Sequence, residues 1–256
     1  MFKNVIVRRP SKSMVEGITS APELGKPNYE LALKQHDNYI EALKSCGVEV
    51  IVLNADERYP DSCFVEDVAV LTKTCAIVTN PGAKTRKGEE KEMIDTLKNF
   101  YPEEKIEYIK SPGTIEGGDV MMVGDHFYIG LSERTNEEGA KQFIKALEKH
   151  GCTGSVVPLK EVLHLKTGLA YLENNNLLVA GEFVDHPTFD QFNKILIHEN
   201  ESYSANCIWV NNKVLVPEGY EKTKEVIEGA GYEVVLVDTS EYRKLDGGLS
   251  CLSLRF

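Results

Sequence analysis

The chain has no CxxC pair, and none of its six cysteines, Cys46, Cys63, Cys75, Cys152, Cys207 and Cys251, has a histidine at zinc-binding spacing. No metal ligand set is therefore expected. With 256 residues the chain has no need of disulfide staples, so free thiols in a reducing compartment fit best. Long apolar runs are also missing. The start, Met1-Phe2-Lys3-Asn4-Val5-Ile6-Val7, has no secretory h-region, and no stretch approaches the roughly eighteen apolar residues of a membrane span. These absences predict a soluble, cytoplasmic protein with no membrane partner. Basic charge is scarce as well: 29 Lys and Arg against 40 Asp and Glu give a net charge of -11, which argues against nucleic acid as a partner. Finally there is no Pro/Ser-rich linker and no low-complexity tract. With 42% hydrophobic residues, one domain over 1–256 is expected.

What is present is an alternation of strand-like and helix-like stretches, which predicts an α/β fold. Helical spacing over 29–46 (Leu31, Leu33, Ile40, Leu43) stops at Gly47 and is followed by a strand over 48–53. Further helices are predicted over 88–100, 135–150 and 219–230, with a shorter or irregular one near 188–196. Segments 64–78, 118–129, 163–180 and 207–216 each read as strand, turn, strand, with Gly124-Asp125 and Asn211-Asn212 as turn chemistry. The final strand, 250–255, lacks a following partner and the first, 4–8, lacks a preceding one, so the termini are expected to pair and supply a fifth unit that closes a ring. The polar positions that recur are Asp67, Asp119, His164, Asn206 and Cys251, separated by 52, 45, 42 and 45 residues.

These positions carry the chemistry. Glu116-Gly117-Gly118-Asp119 sets two carboxylates around a glycine pair, where a planar cation can approach the backbone. In Val65-Glu66-Asp67-Val68-Ala69-Val70 two acids interrupt an apolar, strand-like run, which is costly unless they have partners. His164 is read on a strand, alternating away from Leu163 and Leu165; the other five histidines are expected to be solvated. Cys251 follows Gly247-Gly248, and strand alternation puts it with Ser253 and Arg255, opposite Leu252, Leu254 and Phe256. A nucleophile, a proton shuttle and an acid are thus available in Cys251, His164 and Glu116. The extra acids suit a substrate that is a flat cation.

Four stretches, Asp61-Ser62-Cys63-Phe64-Val65-Glu66-Asp67, Glu116-Gly117-Gly118-Asp119, Leu163-His164-Leu165-Lys166-Thr167-Gly168 and Asp246-Gly247-Gly248-Leu249-Ser250-Cys251, together resemble the dimethylarginine dimethylaminohydrolase family, over the whole chain and in the family's order. The resemblance implies a five-bladed pseudo-symmetric α/β propeller, the pentein fold. It implies hydrolysis of Nω-methylated L-arginines to L-citrulline and dimethylamine or methylamine, through a covalent thiouronium on Cys251, with His164 as acid and base and Glu116 orienting it. Substrate contacts implied are Asp67 and Glu116 to the guanidinium, Asp61 and Glu66 in support, Arg86 and Arg134 to the carboxylate, and the backbone of Ile18 and Leu245. Ile18 lies in the glycine-flanked loop 17–25, expected to be a lid. No cofactor is implied, and a homodimer is compatible with the family, although no exposed apolar stripe requires one. Related arginine deiminases carry an aspartate two residues beyond the histidine; Lys166 stands there, which favours a methylated substrate. An arginine deiminase-like hydrolase, an amidinotransferase-like use of an amine acceptor, and a non-catalytic amino-acid-binding homologue are the alternatives.

Overall fold

The computed structural model describes residues 1–256. Its five sheets have three strands each and are built alike. A short turn leads into a first strand, the chain reverses into an antiparallel second strand, and a crossover brings it to a third strand parallel to the second. Parallel neighbours cannot be joined by a tight turn. That requirement is why helix-like stretches recur between the strand-like ones. The chain groups into two compact units, one of Met1–Val65 with Gly168–Phe256, the other of Glu66–Thr167.

In Glu66–Thr167 the first sheet joins Ala69–Leu71, Ala76–Val78 and Ile106–Tyr108, with the helix Glu90–Leu97 in the crossover. The second joins Val120–Val123, His126–Leu131 and Thr153–Pro158, with the helix Glu137–Lys149. Gly124, with φ +59, begins the two-residue loop of its hairpin. The Asn136 side chain caps the helix by accepting from Gly139 N–H. Ala140, Phe143 and Leu147, on one helical face, then pack with Phe127 and Ile129 of the sheet.

In the other unit the termini do pair: Leu254–Arg255 runs antiparallel to Asn4–Arg8 with Val5 opposite Arg255, and Glu49–Leu53 completes the sheet. The remaining sheets are Leu169–Tyr171, Asn176–Val179, Asn193–Leu196 and Ile208–Val210, Lys213–Pro217, Glu233–Val237. Asn211 and Asn212 have φ +48 and +78, both positive as a type I′ hairpin turn requires.

Two local readings are corrected. Residues 188–196 are no helix; a 3-10 turn, Pro187–Phe189, precedes the strand Asn193–Leu196, because backbone pairing with Asn176–Val179 overrides a weak local helical pattern. The helix Tyr29–Ser45 buries Ala32, Gln35, His36, Tyr39, Ile40 and Leu43, while Leu31 is exposed. The inward face is therefore rotated from the apolar positions that suggested it, and His36 is not solvated. No helix is long and apolar enough to cross a membrane.

Candidate active site

None of Asp67, Asp119, His164 and Cys251 lies on a strand, contrary to the alternation expected for His164 and Cys251 and to the strand expected around Asp67. Asp67 is in the 3-10 turn Val65–Val68, Asp119 in Gly117–Asp119 and Cys251 in Ser250–Leu252. His164 immediately precedes Leu165–Thr167, and Asn206 caps Glu199–Ala205. Each sits in the turn that enters the first strand of its sheet, so the recurrence is real while the strand assignment is not. Tight hydrogen bonds of the 3-10 kind, such as Thr167 N–H to His164 C=O at 3.0 Å, pre-empt the ladder there. Leu252, Ser253 and Leu254 are all buried, so alternation does not sort this segment.

In the unit Glu66–Thr167, His164 Nε2 meets Glu116 Oε2 at 2.8 Å, and Glu116 Oε1 accepts the Ala83 N–H at 3.0 Å. Asp67 Oδ1 accepts the Gly118 N–H at 3.0 Å while Oδ2 takes the Arg86 guanidinium at 2.5 Å. Arg86 is itself held by both oxygens of Glu89, each at 2.8 Å. The His164 side chain is only 14% exposed, and burial alone would lower its pKa; the Glu116 hydrogen bond and the charges of Asp67, Asp119 and Glu116 outweigh it and raise it to about 9. Burial likewise pushes Asp67 up, but the Arg86 and His164 charges and the Gly118 N–H leave it lowered overall. Ligand atoms of Asp67, Glu116 and His164 lie within 4.8 Å of one another, a spacing a cation can use. Arg86 and the imidazolium supply the positive charge there. Lys166 forms an ion pair with Glu66, which neutralises both. Arg134 is half-buried, and its backbone N–H donates to Ser132 Oγ at 3.0 Å.

The glycines of Glu116-Gly117-Gly118-Asp119 make room for the protein itself. A Cβ on Gly117 would lie 1.9 Å from the Glu66 carbonyl oxygen, and one on Gly118 would lie 2.9 Å from the His164 ring. Gly247 and Gly248 behave alike, approaching the Phe64 ring and the Asn206 side chain, where added Cβ atoms would come to 2.2 and 2.4 Å.

In the other unit Cys251 is the one cysteine that is not buried. Burial pushes the Cys207 thiol up to about 12 and raises Cys46, Cys75 and Cys152. The Cys251 turn is held on both sides. Asn206 Oδ1 accepts the Ser250 N–H at 2.8 Å, with Asn206 Nδ2 4.0 Å from Sγ. Tyr39 donates to the Leu249 carbonyl at 2.9 Å and meets Ser253 Oγ at 2.7 Å. Asp61, Ile18 and Leu245 come together: Asp61 Oδ1 accepts the Ile18 N–H at 3.0 Å, and Asp61 and Leu245 both crowd Gly17. Ser20 fastens the loop to Asp246 through its N–H and its hydroxyl, at 2.5 and 2.8 Å.

A family model described as N,N dimethylarginine dimethylhydrolase, eukaryotic, matches residues 22–191. A dimethylarginine dimethylaminohydrolase of Pseudomonas aeruginosa is 60% identical over 256 residues, all of both chains. The chain belongs to the dimethylarginine dimethylaminohydrolase family. A Streptomyces coelicolor member is 34% identical over 99% of this chain and 96% of its own. The crystal structure of a cysteine-to-serine mutant of the Pseudomonas protein, complexed with citrulline, matches all of both chains with a TM-score of 0.98. The N-terminal domain of ArgZ, an arginine dihydrolase of cyanobacteria, is 18% identical with a TM-score of 0.89, which speaks for the fold alone. The five-bladed pentein fold of the family is thus the fold of this chain.

Reading the residues alone missed Glu89, Tyr39, Ser132 and Thr135. Nothing in their local sequence marks them, since each matters through a partner distant in the chain. Asn206 is marked by the recurrence without a role, and Asp119, expected as one of two carboxylates open to a planar cation, is instead fully buried with both oxygens bonded to the chain itself.

Proposed function

We propose that this chain hydrolyses Nω-methylated L-arginines to L-citrulline and dimethylamine or methylamine. The observation that carries the reading is the buried His164 ring held by Glu116 Oε2 at 2.8 Å with Asp67 beside it, an arrangement that favours the imidazolium, because an amine leaves a tetrahedral carbon readily only once it has been protonated. Family membership supports the rest.

Cys251, as thiolate, attacks the guanidinium carbon, and the C–S bond forms. Nε2 of His164 is held by Glu116, so Nδ1 is the nitrogen that gives its proton to the departing amine. The C–N bond breaks and a thiouronium remains on sulfur. The imidazole, now neutral, takes a proton from water; the hydroxide adds to the thiouronium carbon, the C–S bond breaks as the thiolate returns, and the added hydroxyl gives its proton to solvent, where the released amine takes it up, so that citrulline leaves neutral. Asp67 and Glu116 hold the guanidinium. Of the two arginines, Arg134 meets the substrate carboxylate directly, since Arg86 already has Asp67 and Glu89. Asp61, Glu66, Ile18 and Leu245 line the rest, with loop 17–25 as lid. Lys166, paired with Glu66, leaves no spare carboxylate to demand an N–H where a methyl group must sit.

Initial rates on asymmetric dimethylarginine, monomethylarginine and arginine test the reading, with citrulline as readout. The methylated substrates are expected to be faster; faster turnover of arginine would make the chain a deiminase. Cys251→Ser should cut turnover by about a thousandfold or more while substrate still binds.

A further inference from the structure

We propose that Asp119 is a positioning residue of this reaction: its one carboxylate fixes the His164 turn, the Glu116 backbone and the Arg134 loop together, without touching substrate. The proposal rests on the roles given above to those three residues. Asp119 is 0% exposed, and both of its oxygens are occupied by groups of the chain itself. Its Oδ1 accepts the N–H of Leu165 at 3.0 Å, the first backbone donor after His164. Its Oδ2 accepts the hydroxyls of Ser132 and Thr135, each at 2.6 Å.

Those hydroxyls accept in their turn. Ser132 Oγ takes the N–H groups of Arg134 and Thr135, at 3.0 and 3.1 Å, and Thr135 Oγ1 takes the Glu116 N–H at 3.2 Å. A hydroxyl has one proton, and both are committed to Asp119. The relay therefore has one polarity, and it needs at its centre a group that accepts and never donates. An ionised carboxylate meets that need. Ser132 Oγ already accepts two N–H groups and has no lone pair left for a proton on Asp119, so the hydrogen bonds oppose the rise that burial imposes, although the Asp119 carboxyl stays above its ordinary value overall. Space is also closed: a Cβ on Gly130 would lie 3.0 Å from both Oδ1 and the Leu165 Cβ. The same charge then acts on His164, which is faced by Glu116, Asp67 and Asp119.

Asp119→Asn keeps the shape but sets amide hydrogens against the two hydroxyl protons. The expected result is a fall in kcat of about tenfold or more. Ser132→Ala should raise KM with little change in kcat, because it loosens the Arg134 loop. Thr135→Val should lower kcat with little change in KM, because it loosens Glu116. A merely structural Asp119 would lower the melting temperature in all three variants and leave both constants of the folded protein alone, and that result overturns the proposal. If Asp119→Asn does not fold, the split between the Ser132 and Thr135 variants decides it. One readout needs no turnover: the imidazole titration of His164 by NMR in the substrate-free chain, its resonance identified by loss in His164→Gln. The titration should move to lower pH in folded Asp119→Asn, and an unmoved titration contradicts the proposal. A wild-type chain that makes no citrulline refutes the functional reading instead and leaves the titration result standing.

Discussion

His36 and His164 are both largely buried, and they titrate in opposite directions. His36 lies within the helix Tyr29–Ser45, and neither ring nitrogen makes a hydrogen bond of good geometry. Burial lowers it to about 4; Arg9 adds to the fall, and Asp37 and a weak contact with the Arg8 backbone oppose it. Burial acts the same way on His164, yet there the Glu116 bond and three carboxylate charges raise it to about 9. Depth below the surface thus does not decide the charge of an imidazole. What decides it is whether the fold supplies anions to replace the lost water.

Removing each ring in turn separates the two histidines most sharply. His164→Gln is expected to lower kcat by about a thousandfold or more, and His36→Phe to leave citrulline production within about threefold of wild type. Similar losses in both variants would mean that the proton donor has been misassigned. Glu116→Gln should come next, reducing kcat about a hundredfold and moving the His164 titration to lower pH, because the charged hydrogen bond that most opposes burial is gone. An NMR titration checks the second half independently of rate. Gly118→Ala places a methyl group 2.9 Å from the His164 ring. A fall in kcat of about tenfold or more is expected, with Glu116→Gln still lowering it further in the double variant.

The smallest effect concerns stability, and its sign differs between the two rings. For His36 the folded value, about 4, is below the ordinary 6.5, so the unfolded chain takes up the proton first and stability is lost as pH falls from 6.5 towards 4. The loss is up to about 3 kcal/mol. For His164 the folded value is raised, so its contribution is complete below pH 6.5 and is lost as pH rises towards 9. Urea midpoints across both windows should fall on either side, and His36→Phe should flatten the acid side alone. An acid side unchanged in that variant would mean that His36 is not what titrates there.

Much of the architecture was legible in the chain. The order of strands and helices follows from periodicity, and the bounds of Asn4–Arg8 and of the helix Tyr29–Ser45 were close to those expected. The pairing of the termini followed from counting strands without partners. The turns before the first strands were misread as strand because short apolar segments alternate by accident, while the 3-10 bonding that replaces the ladder leaves no periodic trace. The glycine pairs were recognised as sites of close approach, but not what approaches: a carbonyl, an imidazole, a phenyl ring and an amide of the chain itself.

Which side chains the chain carries, and how often the unit that presents them recurs, are properties of residue identity and spacing and can be read from the residues. Their ionic partners and charge come from the fold. It made Arg86 a partner of Asp67 and Glu89 and Lys166 a partner of Glu66, and it holds the pKa of His164 up where burial pushes that of His36 down. Charge in a protein interior depends on which groups replace water at a few ångströms, and those groups come from segments far apart in the chain.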